Sequence, residues 1–203
     1  MKKVILTAAI ALSVLIGTRT TTYAATGSKD EVSTVLTDVS NISEIEVHGN
    51  VQVYLTSASD DKVKVYNNYY ADNALVQEES GTLRITSYSA DKLVVWVSVK
   101  NLSKLTVYDD AAVKSFGKFS AIDLDVTLFG DAVAQLDMDA FSASFTVTGH
   151  AKADLSGSVD NGTLAYTGGT LVNTSELAST SMTRTLLAQP KPRFHHMGEF
   201  AAL

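Results

Sequence analysis

Ile122-Asp123-Leu124-Asp125-Val126-Thr127-Leu128-Phe129-Gly130-Asp131-Ala132-Val133-Ala134-Gln135-Leu136 alternates apolar and polar residues on both sides of a Gly-Asp turn. Alternation with a period of two is the pattern of a half-buried strand, so this stretch reads as two strands joined at Gly130. The pattern returns in Phe145-Thr146-Val147-Thr148-Gly149-His150-Ala151-Lys152-Ala153-Asp154-Leu155 and in Leu164-Ala165-Tyr166-Thr167-Gly168-Gly169-Thr170-Leu171-Val172. Gly130, Gly149 and Gly168 fall 19 residues apart. Strand alternation inside a period of roughly 20 residues predicts an all-β chain of stacked repeats, a β-solenoid.

Aligning the copies predicts inward columns. Leu105, Val126, Phe145 and Leu164 form one, and Val107, Leu128, Val147 and Tyr166 the next. Ala111, Ala132, Ala151 and Thr170 form a third, and Val113, Ala134, Ala153 and Val172 a fourth, so the core is narrow where the chain turns back. Tyr108, Phe129, Thr148 and Thr167 precede the turns, which predicts that Tyr108 stacks on Phe129. Asp109 stands where other copies have Gly, and Asp is among the residues that best tolerate a left-handed backbone. The positions Gly130, Gly149 and Gly168 are expected to need positive φ. An earlier copy is Ile45-Glu46-Val47-His48-Gly49-Asn50-Val51-Gln52-Val53-Tyr54-Leu55. Residues 56–100 are rich in strands without the beat: Val63 and Val65 alternate, Ser80-Gly81 marks a hairpin, and Val95, Val97 and Val99 share a face.

The 203 residues suffice for one medium domain behind a leader. Lys2 and Lys3 precede an apolar run, Val4 to Ile16, which is too short to span a bilayer, and Ala24-Ala25 offers a cleavage site. The expected organisation is a signal peptide at 1–25, a linker at 26–41, the β-solenoid domain at 42–175, and a C-terminal cap or disordered tail at 176–203. No membrane span is expected in the mature chain. The chain has no Cys, which excludes disulfides, thiol chemistry and lipid attachment to a cysteine. Its 22 Asp and Glu outnumber its 16 Lys and Arg, and the leader removes Lys2, Lys3 and Arg19 from the basic side. An acidic chain without a basic stripe is not a nucleic-acid binder.

The order of pieces, Ile45 to Leu55, then Val63-Lys64-Val65, then Gly81-Thr82-Leu83-Arg84-Ile85, then glycine turns about every 20 residues, resembles the head GIN domain family of auto-transporter adhesins, common in exported proteins of Bacteroidetes. The resemblance covers roughly residues 40–175 and implies a right-handed parallel β-helix-like solenoid. Family members carry Ser-Gly or Gly-Ser-Gly at the turns, where this chain has His48-Gly49, Asp109-Asp110, Phe129-Gly130, Thr148-Gly149 and Thr167-Gly168. No catalytic residues are described for the family, so the resemblance implies none.

Asp123 and Asp125 share a face, as paired carboxylates or calcium ligands would, but they alternate with Leu124 and Val126 as a solvated outer face does. His48 and His150 fall at different turns, so no metal site is expected, nor any cofactor. The densest aromatic and amide cluster is Tyr66-Asn67-Asn68-Tyr69-Tyr70, a candidate binding surface in which rings stack on sugars and amides bond hydroxyls. The alternative is that these tyrosines cover the end of the domain, rings packed and tips exposed. The function expected is a non-catalytic binding or adhesion module of the cell envelope, in the periplasm or at the cell surface, with an envelope or extracellular glycan or protein as partner. A structural scaffold or sensor and a polysaccharide-active enzyme are the alternatives.

Overall fold

A computed structural model describes residues 33–36, 39–66 and 74–188. They form thirteen strands: β1 (Ser33–Leu36), β2 (Glu44–Gly49), β3 (Val51–Ser57), β4 (Lys62–Tyr66), β5 (Ala74–Glu79), β6 (Thr82–Ser87), β7 (Leu93–Val99), β8 (Lys104–Val107), β9 (Ala112–Ser115), β10 (Phe119–Leu128), β11 (Val133–Val147), β12 (Lys152–Thr167) and β13 (Leu171–Leu187). Among the described residues no helix is long and apolar enough to cross a membrane.

The all-β class is as expected, but the parallel β-helix solenoid is not the architecture. All strands join one mixed sheet, curled into a half-barrel, whose main path runs β1-β4-β7-β3-β9-β11-β10-β8-β2-β6-β5. Antiparallel pairs lie toward both ends of that path: β1 with β4, β4 with β7, and β5 with β6. The physical reason lies in residues 56–100. Ser80 and Gly81 take φ of 53° and 83°, two consecutive left-handed residues as in the tight turns of two-residue hairpins, and the chain folds straight back on itself. A hairpin reverses direction where a solenoid would have to continue, so the even beat cannot run through this stretch.

The remaining strands pair in parallel, and there the predicted columns are in register. Val126 lies beside Leu105 on one side and Phe145 on the other, and Phe145 beside Leu164. Leu83 and Ile45 extend the same column into the first half. Side chains alternate across a strand, so one face of the sheet carries these apolar residues inward and the other meets water. Val126, Leu128, Phe145 and Val147 are buried, whereas Asp125 is exposed and Thr127 half-buried. The alternation slips within β10 and β11: Ile122 and Asp123 are both exposed, and Phe141 is exposed just after buried Ala140. Two successive outward residues mark the bend by which a long strand turns around the core. β11 pairs with β9 before its bend and with β10 around and beyond it. The small column is buried at Ala111, Ala132 and Ala151, each at 0% exposure, where the chain crosses the core closely, and half-buried at Thr170.

The turn column is also in place. Tyr108 stacks on Phe129 with ring centroids 5.0 Å apart. Asp109 has φ of 59°, and Gly130 and Gly149 have 71° and 75°. Gly168 departs from the expectation of positive φ; a Cβ there would meet nothing within 4 Å. At Gly149 two constraints coincide, since a Cβ would stand 2.7 Å from the Gly130 carbonyl oxygen as well as occupy a left-handed backbone. A Cβ on Gly162 crowds the end of the flexible Met182 side chain and meets the Ser181 carbonyl oxygen at an ordinary 3.6 Å. Gly149→Val is therefore expected to lower the melting temperature more than Gly162→Val in thermal unfolding followed by circular dichroism.

The register makes a second prediction. Leu128→Asp buries an unpaired charge against Val107 and Val147 and should cost about 3–5 kcal/mol. Thr127→Asn changes only the outer face and should cost less than about 0.5 kcal/mol. Equal losses in denaturant titrations of the two variants would contradict this register.

Candidate functional site

Tyr54 on β3, Trp96 on β7 and Phe116 just after β9 all point outward, because Val53, Leu55, Val95, Val97 and Ser115 beside them point in and are buried. β3 pairs with both β7 and β9, so their side chains meet. The Tyr54 ring stacks on Trp96 at 4.8 Å, and Phe116 meets Trp96 edge-on at 5.1 Å. Such ring pairs contribute about 0.5–1.5 kcal/mol beyond the area they bury. Phe116 remains 61% exposed. An apolar ridge thus stands on the solvent face of the sheet.

Cations flank this ridge. Lys64 lies opposite Trp96 in the β4–β7 register, and Lys114 lies beside Tyr54 on β9. The Lys64 ammonium sits 4.6 Å from the centroid of the Tyr66 ring, a cation–π contact. Tyr66 therefore belongs to the same outward face as Trp96. The other members of the sequence-derived cluster, Asn67, Asn68, Tyr69 and Tyr70, lie outside the described residues. Sequence reasoning passed over Tyr54, Trp96 and Phe116. A signal was available: Trp96 sits between Val95 and Val97, and placing those two in the core forces the indole outward.

A second aromatic column runs along the turns. His48 stacks on Tyr108 at 4.2 Å, and Tyr108 on Phe129. Beside it, the Tyr88 hydroxyl donates to the Asp109 carboxylate at 3.1 Å. That hydrogen bond, more than burial or charge repulsion, raises the Tyr88 phenol above its ordinary pKa of 10.0. Here His48 is occupied as a ring in a stack. His150 lies 3.8 Å from Asp131, and among the described residues no three His, Cys, Asp or Glu residues gather as a metal site would require. Asp123 and Asp125 are both exposed.

These observations define a β-sheet protein whose outward features are aromatic ridges. The chain belongs to the family described as "Putative auto-transporter adhesin, head GIN domain", whose model matches residues 41–189. Its fold is similar to the crystal structure of a "putative adhesin" from Bacteroides fragilis NCTC 9343, at 12% identity and a TM-score of 0.67, covering 78% of this chain and 77% of that one. A second "putative adhesin", from Parabacteroides merdae ATCC 43184, matches at 12% identity and a TM-score of 0.62 over 76% and 77% of the two chains. A "putative lipid binding protein" from Parabacteroides distasonis ATCC 8503 matches at 13% identity and a TM-score of 0.56 over 76% and 78%. At these identities the likeness is one of fold. No curated protein matches the chain.

The Tyr88–Asp109 bond requires a protonated phenol. A group whose protonated form is favoured by folding stabilises the fold below its unfolded pKa and loses that contribution as pH rises through the raised folded value. Tyr88 should therefore ionise at higher pH than a free tyrosine, seen as a difference in ultraviolet titration between the native chain and Tyr88→Phe. Asp109→Asn should bring it back down.

Proposed function

We propose that this protein is an exported, non-catalytic adhesion module of the cell envelope that holds a glycan on the ridge formed by Tyr54, Trp96 and Phe116. Residues 1–25 act as the leader removed on export, and the mature domain works in the periplasm or at the cell surface. The observation that carries the reading is the exposed aromatic ridge with Lys64, Tyr66 and Lys114 beside it. Sugar rings present C–H faces that pack on aromatic carbon, and ammonium groups donate to hydroxyls, so apolar and polar partners are offered together. A sheet backbone fixes the spacing of these groups in advance, which limits the ordering cost on binding. The description of the family as adhesins supports a binding role. Tyr66, from the sequence-derived cluster, extends the same surface.

Trp96 is the only tryptophan of the chain and serves as a native reporter. A glycan array should return ligands for the mature chain, and titration with a positive glycan should change the Trp96 emission. Trp96→Ala is expected to weaken binding about tenfold or more, which is ~1.4 kcal/mol, without loss of the folded circular dichroism spectrum. Binding unaltered by Trp96→Ala would remove the ridge from the function. Turnover of the bound polysaccharide would make the protein an enzyme.

A further inference from the structure

We propose a second binding site at the β13 end of the half-barrel, a receptor for a small carboxylate with an apolar tail, with Arg184 as its anion-binding fork. The column that runs Leu83, Ile45, Leu105, Val126, Phe145 and Leu164 is apolar and buried at every step, and its next member, in register with Leu164, is Arg184. The arginine is exposed at the open end of that column. One of its donors is used within the fold: Nη2 donates to the Thr174 hydroxyl across the opening at 2.8 Å. Among the described residues no carboxylate lies within ion-pair distance of it, although Arg84 and Lys104 both have such partners. The guanidinium has five donors in a planar fork that matches a carboxylate, so most of its capacity faces the opening unspent.

The surroundings supply the other half of the recognition. Arg184 and Thr174 line a cavity of about 310 Å³ together with Leu164, Tyr166, Thr170, Leu171 and Val172. That volume is at the small end of the range for ligand sites. The wall is about evenly apolar and polar with one cationic group, which suits an anionic head joined to a short hydrocarbon better than a cation. Thr174 holds one edge of the guanidinium and leaves the rest of the fork for the ligand, an arrangement suited to a bidentate contact. β13 brings these groups together because it bends around the core: Thr174 and Arg184 are ten residues apart in sequence yet hydrogen-bonded.

The test is isothermal titration of the full chain with octanoate, beside octan-1-ol and octyltrimethylammonium as neutral and cationic probes of the same length. Saturable binding of octanoate is expected, about tenfold or more tighter than octanol, with none for the cation. Arg184→Gln should weaken octanoate about tenfold and leave octanol unchanged. Val172→Trp, which fills the cavity and keeps the arginine, should abolish both. If Arg184→Gln proves unfolded by circular dichroism, the octanoate-to-octanol comparison on the native chain and Val172→Trp decide. No octanoate binding, equal affinity for acid and alcohol, or affinity unchanged by either variant would overturn the proposal. So would octanoate binding only to a chain ended at Ala188, since residues 189–203 would then be the occupant of the site.

Discussion

Everything in this protein rests on one constraint: inward side chains of neighbouring strands must fall in the same column. In a parallel pair offset by 19 residues, Phe145 meets Leu164 and Val147 meets Tyr166. A slip of one residue would turn every buried valine and leucine outward. The apolar columns therefore fix the register, and the register places every outward side chain. The aromatic ridge exists because the core does: Val53, Val95 and Val113 in one inward column hold Tyr54, Trp96 and Lys114 on the reverse face.

The same constraint explains the contrast between the two outer aromatic sets. His48, Tyr108 and Phe129 sit beside turns at equivalent places on neighbouring strands, so their rings lie nearly parallel, with interplanar angles of 6° and 11°. They spend their faces on one another and brace the turn. Tyr54, Trp96 and Phe116 come from mid-strand and strand-end positions, and Phe116 meets Trp96 at 61°. That edge-on contact leaves Phe116 exposed. Stacking strengthens the turn column as structure, while the mid-sheet ridge retains surface for a partner.

A sheet that does not close into a complete barrel has edges, and edges invite association. The short β1 and β5 lie at the two ends of the main path, and β5 ends in Glu78 and Glu79, a charged finish of the kind that discourages pairing. β13 is longer and carries polar residues from Ser179 to Ser181 and from Thr183 to Thr185. In register with buried Leu164 it places Arg184, which is exposed, so the apolar column ends in a charge where it runs out of neighbours. That change of chemistry at the last strand also makes the opening selective for charge.

The sequence by itself determined the strands of residues 102–172, their columns and the turn chemistry. Period-two alternation sets the face of each side chain locally, and Asp109, Gly130 and Gly149 are the residues a left-handed turn requires. It also placed Tyr108 on Phe129, since both precede a turn at equivalent places in successive copies. It did not determine the architecture, because the glycine beat of residues 102–172 says nothing about how the strands of residues 56–100 are inserted. Only the tertiary structure showed β2 lying between β6 and β8, and β3 between β7 and β9. Pairings between strands 38 to 60 residues apart depend on the Ser80-Gly81 hairpin and on packing against the whole core. The candidate site divides in the same way. Tyr66 was legible as part of an aromatic cluster, but its neighbourhood with Trp96 and Tyr54 arises from three strands distant in sequence, and local pattern carries no information about that meeting.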